Sequence, residues 1–326
     1  MIKTGPRWIQ EHLQALTERQ RSIGRSLWAA SIALVVLAFL GLAIFREWEV
    51  LLSFPWQLNW TFLAWQPLIH SLALGSMFLA WHLMMSRLAA VNDWRLNFSI
   101  FSITMVARRV PIPMWYAGGR LYLYRKQGVS MKIVLNATIL EVALIAVAGV
   151  ISYVLLLPWY SNLPSWPWWI PAAGIGAFVV ALIVRPSLLI DLVNIALRLF
   201  KRSPLQANIS RGDLLSWELA YLNTWFLDGI GLFLVVSALV LAPPSLPDVI
   251  GISSISALVG LLTLILPGGF GIKELTMGAL LSPWMPVSAG IVIALVYRIL
   301  LTGVEFLWAL VGHWIGRRIP DDKDPM

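Results

Sequence analysis

Residues 261–274 read Leu-Leu-Thr-Leu-Ile-Leu-Pro-Gly-Gly-Phe-Gly-Ile-Lys-Glu, and this stretch decides which kind of fold the chain can adopt. Its first six residues are the end of an apolar run, 249–266, and this run is slightly shorter than the roughly 20 residues that a membrane-spanning helix needs. Proline and glycine interrupt helices, and irregular backbone at membrane depth is tolerated only where protein or water satisfies its polar groups. The interrupting residues are Pro267, Gly268, Gly269 and Gly271. The stretch therefore predicts a re-entrant hairpin over residues 249–283.

The composition places the whole chain in a membrane. Of its 326 residues, 59% are hydrophobic and only 12% are charged, whereas roughly 25% are charged in an ordinary soluble domain. The mean hydropathy is +0.78, and the chain has no cysteine. These values exclude a water-soluble enzyme, a disulfide-stabilised scaffold and a disordered chain.

Apolar runs predict six full spans and a second interrupted segment. The predicted spans are 28–45, 60–86, 132–157, 169–184, 214–242 and 287–315. The interrupted segment, 96–107, is only twelve residues long and precedes Arg108-Arg109 and the Pro111-Ile112-Pro113 break. We predict a first re-entrant hairpin over 96–126.

The distribution of basic residues predicts the orientation. Twenty-one of the 24 Lys and Arg residues fall in segments on one side of the predicted spans, and only Arg46 falls on the other. Lys273 and Arg298 are left at membrane depth. Because basic loops stay in the cytoplasm, both termini are predicted to be cytoplasmic, and the two hairpins enter from opposite faces.

The order of span, span, hairpin and span therefore occurs twice, in opposite orientations, at offsets of 154 to 156 residues. We predict an all-α integral membrane fold built as an inverted repeat, an arrangement typical of secondary transporters. The predicted parts are a cytoplasmic amphipathic segment 1–27, a first repeat 28–157, a second repeat 158–316 and a cytoplasmic tail 317–326.

The two interruptions carry a family resemblance. The stretch from Pro267 to Glu274 resembles the lysylphosphatidylglycerol synthase/flippase transmembrane family, whose pattern there is P-G-G-h-G-h-x-E, with h apolar. The stretch from Arg109 to Arg120 resembles the family's other signature, R-Y-L-P-G-x-x-W-x-x-x-G-R. Its matching residues include Pro111, Trp115, Gly119 and Arg120, whereas Val110 replaces an aromatic-Leu pair and Pro113 stands near the expected Gly. Glu141 falls where family members often carry an acidic residue.

The resemblance implies a lipid-handling protein of the bacterial cytoplasmic (inner) membrane. The best-known members move a charged aminoacyl-phospholipid between leaflets and carry a soluble aminoacyl-transferase domain. Because the sequence stops at Met326, we expect no such domain here.

Ionisable side chains at membrane depth are the candidate functional residues, because each costs about 2.5–3.5 kcal/mol to insert unless it is paired or hydrated. We predict that Lys273, Arg298 and Arg120 hold an anionic lipid head group, for which cations and free backbone N–H groups are suited. Glu141, Glu274 and Glu305 would balance their charge. Arg298 and Glu305 are two helical turns apart on one face. A purely structural role, in which pairs such as Glu274–Arg298 brace the hairpins, stays open.

Three functions are consistent with the sequence. A lipid transporter or flippase is favoured, which moves a charged (phospho)lipid or lipid-linked precursor between leaflets through a midplane site at the repeat interface. A non-transporting partner or scaffold of a lipid- or glycan-synthesis enzyme is the alternative, and a membrane enzyme is disfavoured because no catalytic set is recognisable. No cofactor and no nucleic-acid partner is predicted. No metal site is predicted either, since His70 and His82 have no carboxylate at ligand spacing. Proton coupling through Glu141, Asp228 or Glu274 and homo-oligomer formation are left open.

Overall fold

The computed structural model describes residues 41–42, 45–108, 114–161, 169–185, 187–199, 209–262 and 269–317. In these residues the regular structure is helical, with one isolated bridge between Trp56 and Val240. The helices are α1 (Trp48–Ser53), α2 (Trp60–Ala89), α3 (Trp94–Ala107), α4 (Met114–Lys126), α5 (Met131–Leu156), α6 (Trp169–Val184), α7 (Ser187–Leu199), α8 (Arg211–Leu239), α9 (Leu246–Leu262), α10 (Gly269–Leu281) and α11 (Val287–Gly316). A 3-10 turn, Leu157–Trp159, continues α5.

Four helices, α2, α5, α8 and α11, are long and apolar enough to cross a membrane. They have 29 or 30 residues, counting the 3-10 turn with α5, and so exceed the roughly 20 that a bilayer requires. The predictions of long apolar helices at 60–86, 132–157, 214–242 and 287–315 are confirmed. In the part that the structure describes, the chain is all-helical, and these four helices suggest a multi-pass membrane protein.

The other two predicted spans have different outcomes. The span at 28–45 falls almost entirely outside the described residues, as do the amphipathic segment 1–27 and nearly all of the tail 317–326. The span at 169–184 coincides with α6, which has 16 residues and is therefore only about 24 Å long.

The two interrupted segments each form a pair of short helices. Helices α3 and α4 have 14 and 13 residues, α9 and α10 have 17 and 13, and the members of each pair pack together. Helix α4 carries Trp115 in its first turn and α10 begins at Gly269, as the predicted interruptions require. The interrupting residues Pro111, Pro113, Pro267 and Gly268 lie outside the described residues.

Side-chain caps explain where several helices begin. The Asn59 side chain accepts a hydrogen bond from the backbone of Thr61 at the start of α2, and Asp93 caps α3 in the same way. Ser210 and Asp213 form a reciprocal capping box at the start of α8. These caps satisfy backbone N–H groups that the first turn of a helix leaves without a partner.

Helices α2 and α8 pack against each other at the centre, where α3 contacts α2 and α9 contacts α8. Helix α3 lies on α11, where a Cβ at Gly312 would collide with the Ser102 hydroxyl. Helix α9 lies on α5, where Ser152 and Ser254 share a hydrogen bond of 2.7 Å. Small residues allow such close approach between membrane helices. The first helix of each short pair therefore packs against the long helix that follows the other pair, whereas the second helix packs against the long helix that follows it in sequence.

Candidate functional site

The first ion pair joins Arg120 on α4 to Glu141 on α5. The guanidinium donates to both carboxylate oxygens, with Nη2 at 3.4 Å from Oε1 and Nη1 in closer contact with Oε2. Both side chains are 0% exposed. Helix α4 follows the first interruption and α5 is the next long helix, so the pair joins an interrupted segment to a span.

Aromatic rings and hydroxyls enclose this first ion pair. The Tyr116 hydroxyl donates to Glu141 Oε2 at 2.7 Å, and Arg120 Nε donates to Thr104 Oγ1 at 3.3 Å. The guanidinium carbon lies 3.7 Å from the ring centroid of Trp81 and 4.3 Å from that of Tyr116, within the range of cation–π attraction. Arg120 is thus held by α2, α3, α4 and α5 together. In this conformation its charge is directed at protein groups and not at a surface that a head group could reach.

The second ion pair joins Glu274 on α10 to Arg298 on α11. Arg298 Nη1 donates to Glu274 Oε1 at 2.5 Å. The Glu274 side chain is 4% exposed and the Arg298 side chain is 20% exposed. Glu274 Oε2 also accepts a hydrogen bond of 2.8 Å from the backbone N–H of Gly271. Gly271 has a φ of +89°, a left-handed conformation that favours glycine. The chain just after the interruption is therefore fastened to the carboxylate of the second ion pair.

Lys273 lies beside this pair but is directed elsewhere. Its Nζ is 5.8 Å from the ring centroid of Tyr297 on α11, and its Cβ packs 3.5 Å from the position that a Cβ on Gly260 of α9 would occupy. The predicted cations Lys273 and Arg298 thus both lie where α10 meets α11. Arg120 belongs to a separate ion pair with its own carboxylate.

The two ion pairs occupy matching places with the charges exchanged. Each joins the helix after an interruption to the following long helix, but the cation is on the short helix in the first pair and on the long helix in the second. Glu274 comes 154 residues after Arg120, and Arg298 comes 157 residues after Glu141. These separations are equal or close to the 154 to 156 residues that separate the two halves of the sequence.

A third group of polar side chains, the histidine cluster, consists of His70 on α2, Asp228 on α8 and Glu305 on α11. His70 Nδ1 is 3.0 Å from Asp228 Oδ1, and His70 Nε2 is 3.8 Å from Glu305 Oε1. The side chains of His70 and Glu305 are 5% and 6% exposed, whereas that of Asp228 is 32% exposed. The cluster lies where the central helices α2 and α8 meet α11.

Sequence reasoning found the members of these groups but only part of their partnerships. Glu305 shares a face of α11 with Arg298, yet it faces His70. His70 has no carboxylate at ligand spacing in the sequence, but helix packing brings two carboxylates to it. Depth in an apolar run was the available signal, and it identifies costly residues without identifying their neighbours. Tyr116 and Trp81, which enclose Arg120, carry no such signal.

No family model and no curated protein matches this chain. The resemblance to the lysylphosphatidylglycerol synthase/flippase family therefore stays a prediction, carried by the residues from Pro267 to Glu274 and from Arg109 to Arg120.

Proposed function

We propose that the chain is a lipid transporter of the flippase type, which moves a lipid with an anionic head group between the leaflets of a membrane. This proposal is carried by two ion pairs with exchanged charges, one after each interruption, of which the first is fully buried and the second partly exposed. Charges in apolar helices are expensive and are typically kept where they serve a substrate or ion pathway. The family resemblance of the same two segments points to lipid as the substrate.

The proposed architecture is an inverted repeat of six spans and two re-entrant hairpins. Two observations support it: the order of a long, two short and a long helix occurs twice, as α2–α5 and as α8–α11, and α3 packs on α11 as α9 packs on α5. A two-fold relation between the halves would produce this exchange of contacts. The distribution of basic residues supports cytoplasmic termini, and the resemblance supports a bacterial cytoplasmic membrane as the location.

The proposed head-group site is the second ion pair. A lipid phosphate offers Arg298 the same charge-assisted hydrogen bonds that Glu274 offers, so it can compete for the guanidinium from the partly exposed side. Lys273 adds positive charge at the same junction. In the same conformation the first ion pair is inaccessible to a ligand. In an inverted repeat, the two halves exchange accessible and inaccessible forms during transport.

Arg298→Ala tests the proposal in liposomes that contain the purified protein. Translocation of a fluorescent phosphatidylglycerol would be followed by chemical quenching of the outer leaflet, with a fluorescent phosphatidylcholine as the neutral comparison. We expect at least a tenfold loss of phosphatidylglycerol translocation, because the main cation for the phosphate is gone. The matched control is Arg317→Ala, which removes an exposed arginine just after the same helix.

Two results would overturn the head-group site: equal rates for wild type and Arg298→Ala, or an equal loss with Arg317→Ala. A wild-type protein that is folded but moves neither lipid would favour the alternative of a non-transporting partner of a synthesis enzyme.

A further inference from the structure

The histidine cluster has the geometry of a proton-binding site. An imidazole with a carboxylate near each nitrogen can gain or lose one proton without moving its ring. Chains of Asp, Glu and His side chains carry protons in membrane transporters. His70 and Glu305 are almost fully buried, whereas Asp228 is about one-third exposed. Asp228 therefore provides a route by which a proton can enter.

The two sides of the imidazole differ. Nδ1 is within hydrogen-bond distance of Asp228, but Nε2 is buried and makes no hydrogen bond to any described residue. A neutral imidazole whose Nδ1 donates to Asp228 presents a lone pair at Nε2 to the carboxylate of Glu305, 3.8 Å away. A proton bound at Nε2 turns this unfavourable contact into a charge-assisted one.

Two carboxylates face the imidazole of His70. The charged groups that act on it are Asp228 and Glu305, both carboxylates. Tyr297 of α11 donates its hydroxyl to the backbone carbonyl of Asp228 at 2.8 Å. On the other helices that pack against α2, Arg108 after α3 reaches Met77, two turns beyond His70, and Glu141 of α5 is paired with Arg120. The described surroundings therefore place two negative charges beside the imidazole.

We propose that His70, Asp228 and Glu305 bind one proton, held between His70 Nε2 and Glu305, and that this proton couples lipid movement to a pH gradient. The proton comes from water and returns to water, so no bond other than those to hydrogen changes. The coupling rests on the proposed lipid transport, whereas the proton site does not.

The helix that carries Glu305 explains how the coupling works. With the proton bound, His70 donates to both carboxylates and holds α2, α8 and α11 together. Without it, Glu305 faces a lone pair, so α11 is freed from α2. Arg298 lies two turns from Glu305 on the same helix, so release of α11 moves the cation of the second ion pair. Proton binding and head-group binding thus act on one helix.

The first experiment measures coupling in proteoliposomes. Translocation of fluorescent phosphatidylglycerol is measured with and without an imposed pH gradient for wild type, His70→Gln and Glu305→Gln. We expect the gradient to accelerate translocation by the wild type at least fivefold. In both variants the ratio of the rate with the gradient to the rate without it should fall to about one. The control is His82→Gln on the same helix, because His82 contacts the Asn97 amide and not a carboxylate, so its ratio stays that of the wild type. A gradient effect that survives in His70→Gln overturns the coupling.

The second experiment detects the proton without transport. Replacing His12, His82 and His313 by Gln leaves His70 as the single histidine of the four in the chain. Nitrogen-15 NMR of this protein in nanodiscs then follows Nε2 during a pH titration. We expect Glu305→Gln to move the titration midpoint by about one pH unit or more, because a neighbouring charge is removed. An unchanged midpoint overturns the site, whereas a moved midpoint in a protein that translocates no lipid supports the site and overturns only the transport function.

Discussion

The two ion pairs use the same residue types at matching places, yet their surroundings differ. Arg120 and Glu141 are completely buried beneath aromatic rings, and a tyrosine hydroxyl satisfies the carboxylate further. Glu274 is fastened instead to a backbone N–H, and Arg298 keeps one-fifth of its side chain exposed. A buried arginine without its partner is costly, whereas a partly exposed one can change partners. In this conformation, therefore, the first pair is enclosed by protein, whereas the second is partly accessible, as the proposed head-group site requires.

The largest expected effect comes from removing the charge of the first carboxylate. Glu141→Gln keeps the size of the side chain but leaves Arg120 buried without a counter-charge, and such a change costs about 3–5 kcal/mol. We expect a large fall in the unfolding temperature, measured by size-exclusion chromatography after heating in detergent.

The control for this prediction removes both charges. Arg120→Met combined with Glu141→Leu leaves no unpaired charge, so it should recover most of the lost stability. If Glu141→Gln unfolds at the wild-type temperature, the first pair is not a brace and the comparison with the second pair fails.

An intermediate effect is expected when the second pair is given the charge order of the first. Glu274→Arg combined with Arg298→Glu preserves an ion pair but removes the acceptor of the Gly271 N–H. An unsatisfied buried donor costs about 1–3 kcal/mol, so we expect a moderate loss of stability in the same heating assay. Phosphatidylglycerol translocation should be lost, because the cation is moved to a different helix. Wild-type translocation by the exchanged pair would show that the charge order does not matter.

Much of this arrangement could be predicted from the sequence because it depends on helix length and interruption. The four long helices follow from runs of apolar residues, and the ends of α3, α4, α9 and α10 follow from proline and glycine. The pairing of Glu274 with Arg298 could be anticipated, but the partners of Arg120 and His70 could not, because they are set by how helices rotate and pack. Glu305 illustrates this limit: its position on α11 was evident, but its neighbour His70 comes from a helix more than 200 residues earlier.

The smallest expected effect concerns the backbone beneath the second pair. Gly271→Ala places a Cβ on a residue at φ +89°, which costs about 1–2 kcal/mol because a left-handed conformation crowds Cβ against the carbonyl. If the backbone relaxes to avoid this strain, the N–H turns away from Glu274. We therefore expect a small fall in the unfolding temperature together with a clear fall in phosphatidylglycerol translocation.

Gly303→Ala is the matched control, because Gly303 is exposed within α11 and a Cβ there would meet nothing within 4 Å. Alanine is the better helix former by up to about 1 kcal/mol, so this variant should be at least as stable as the wild type and equally active. Equal behaviour of the two alanine variants would mean that the left-handed residue does not hold Glu274 in place. The second pair would then differ from the first only in exposure, and its competition with a lipid phosphate would depend on Arg298 alone.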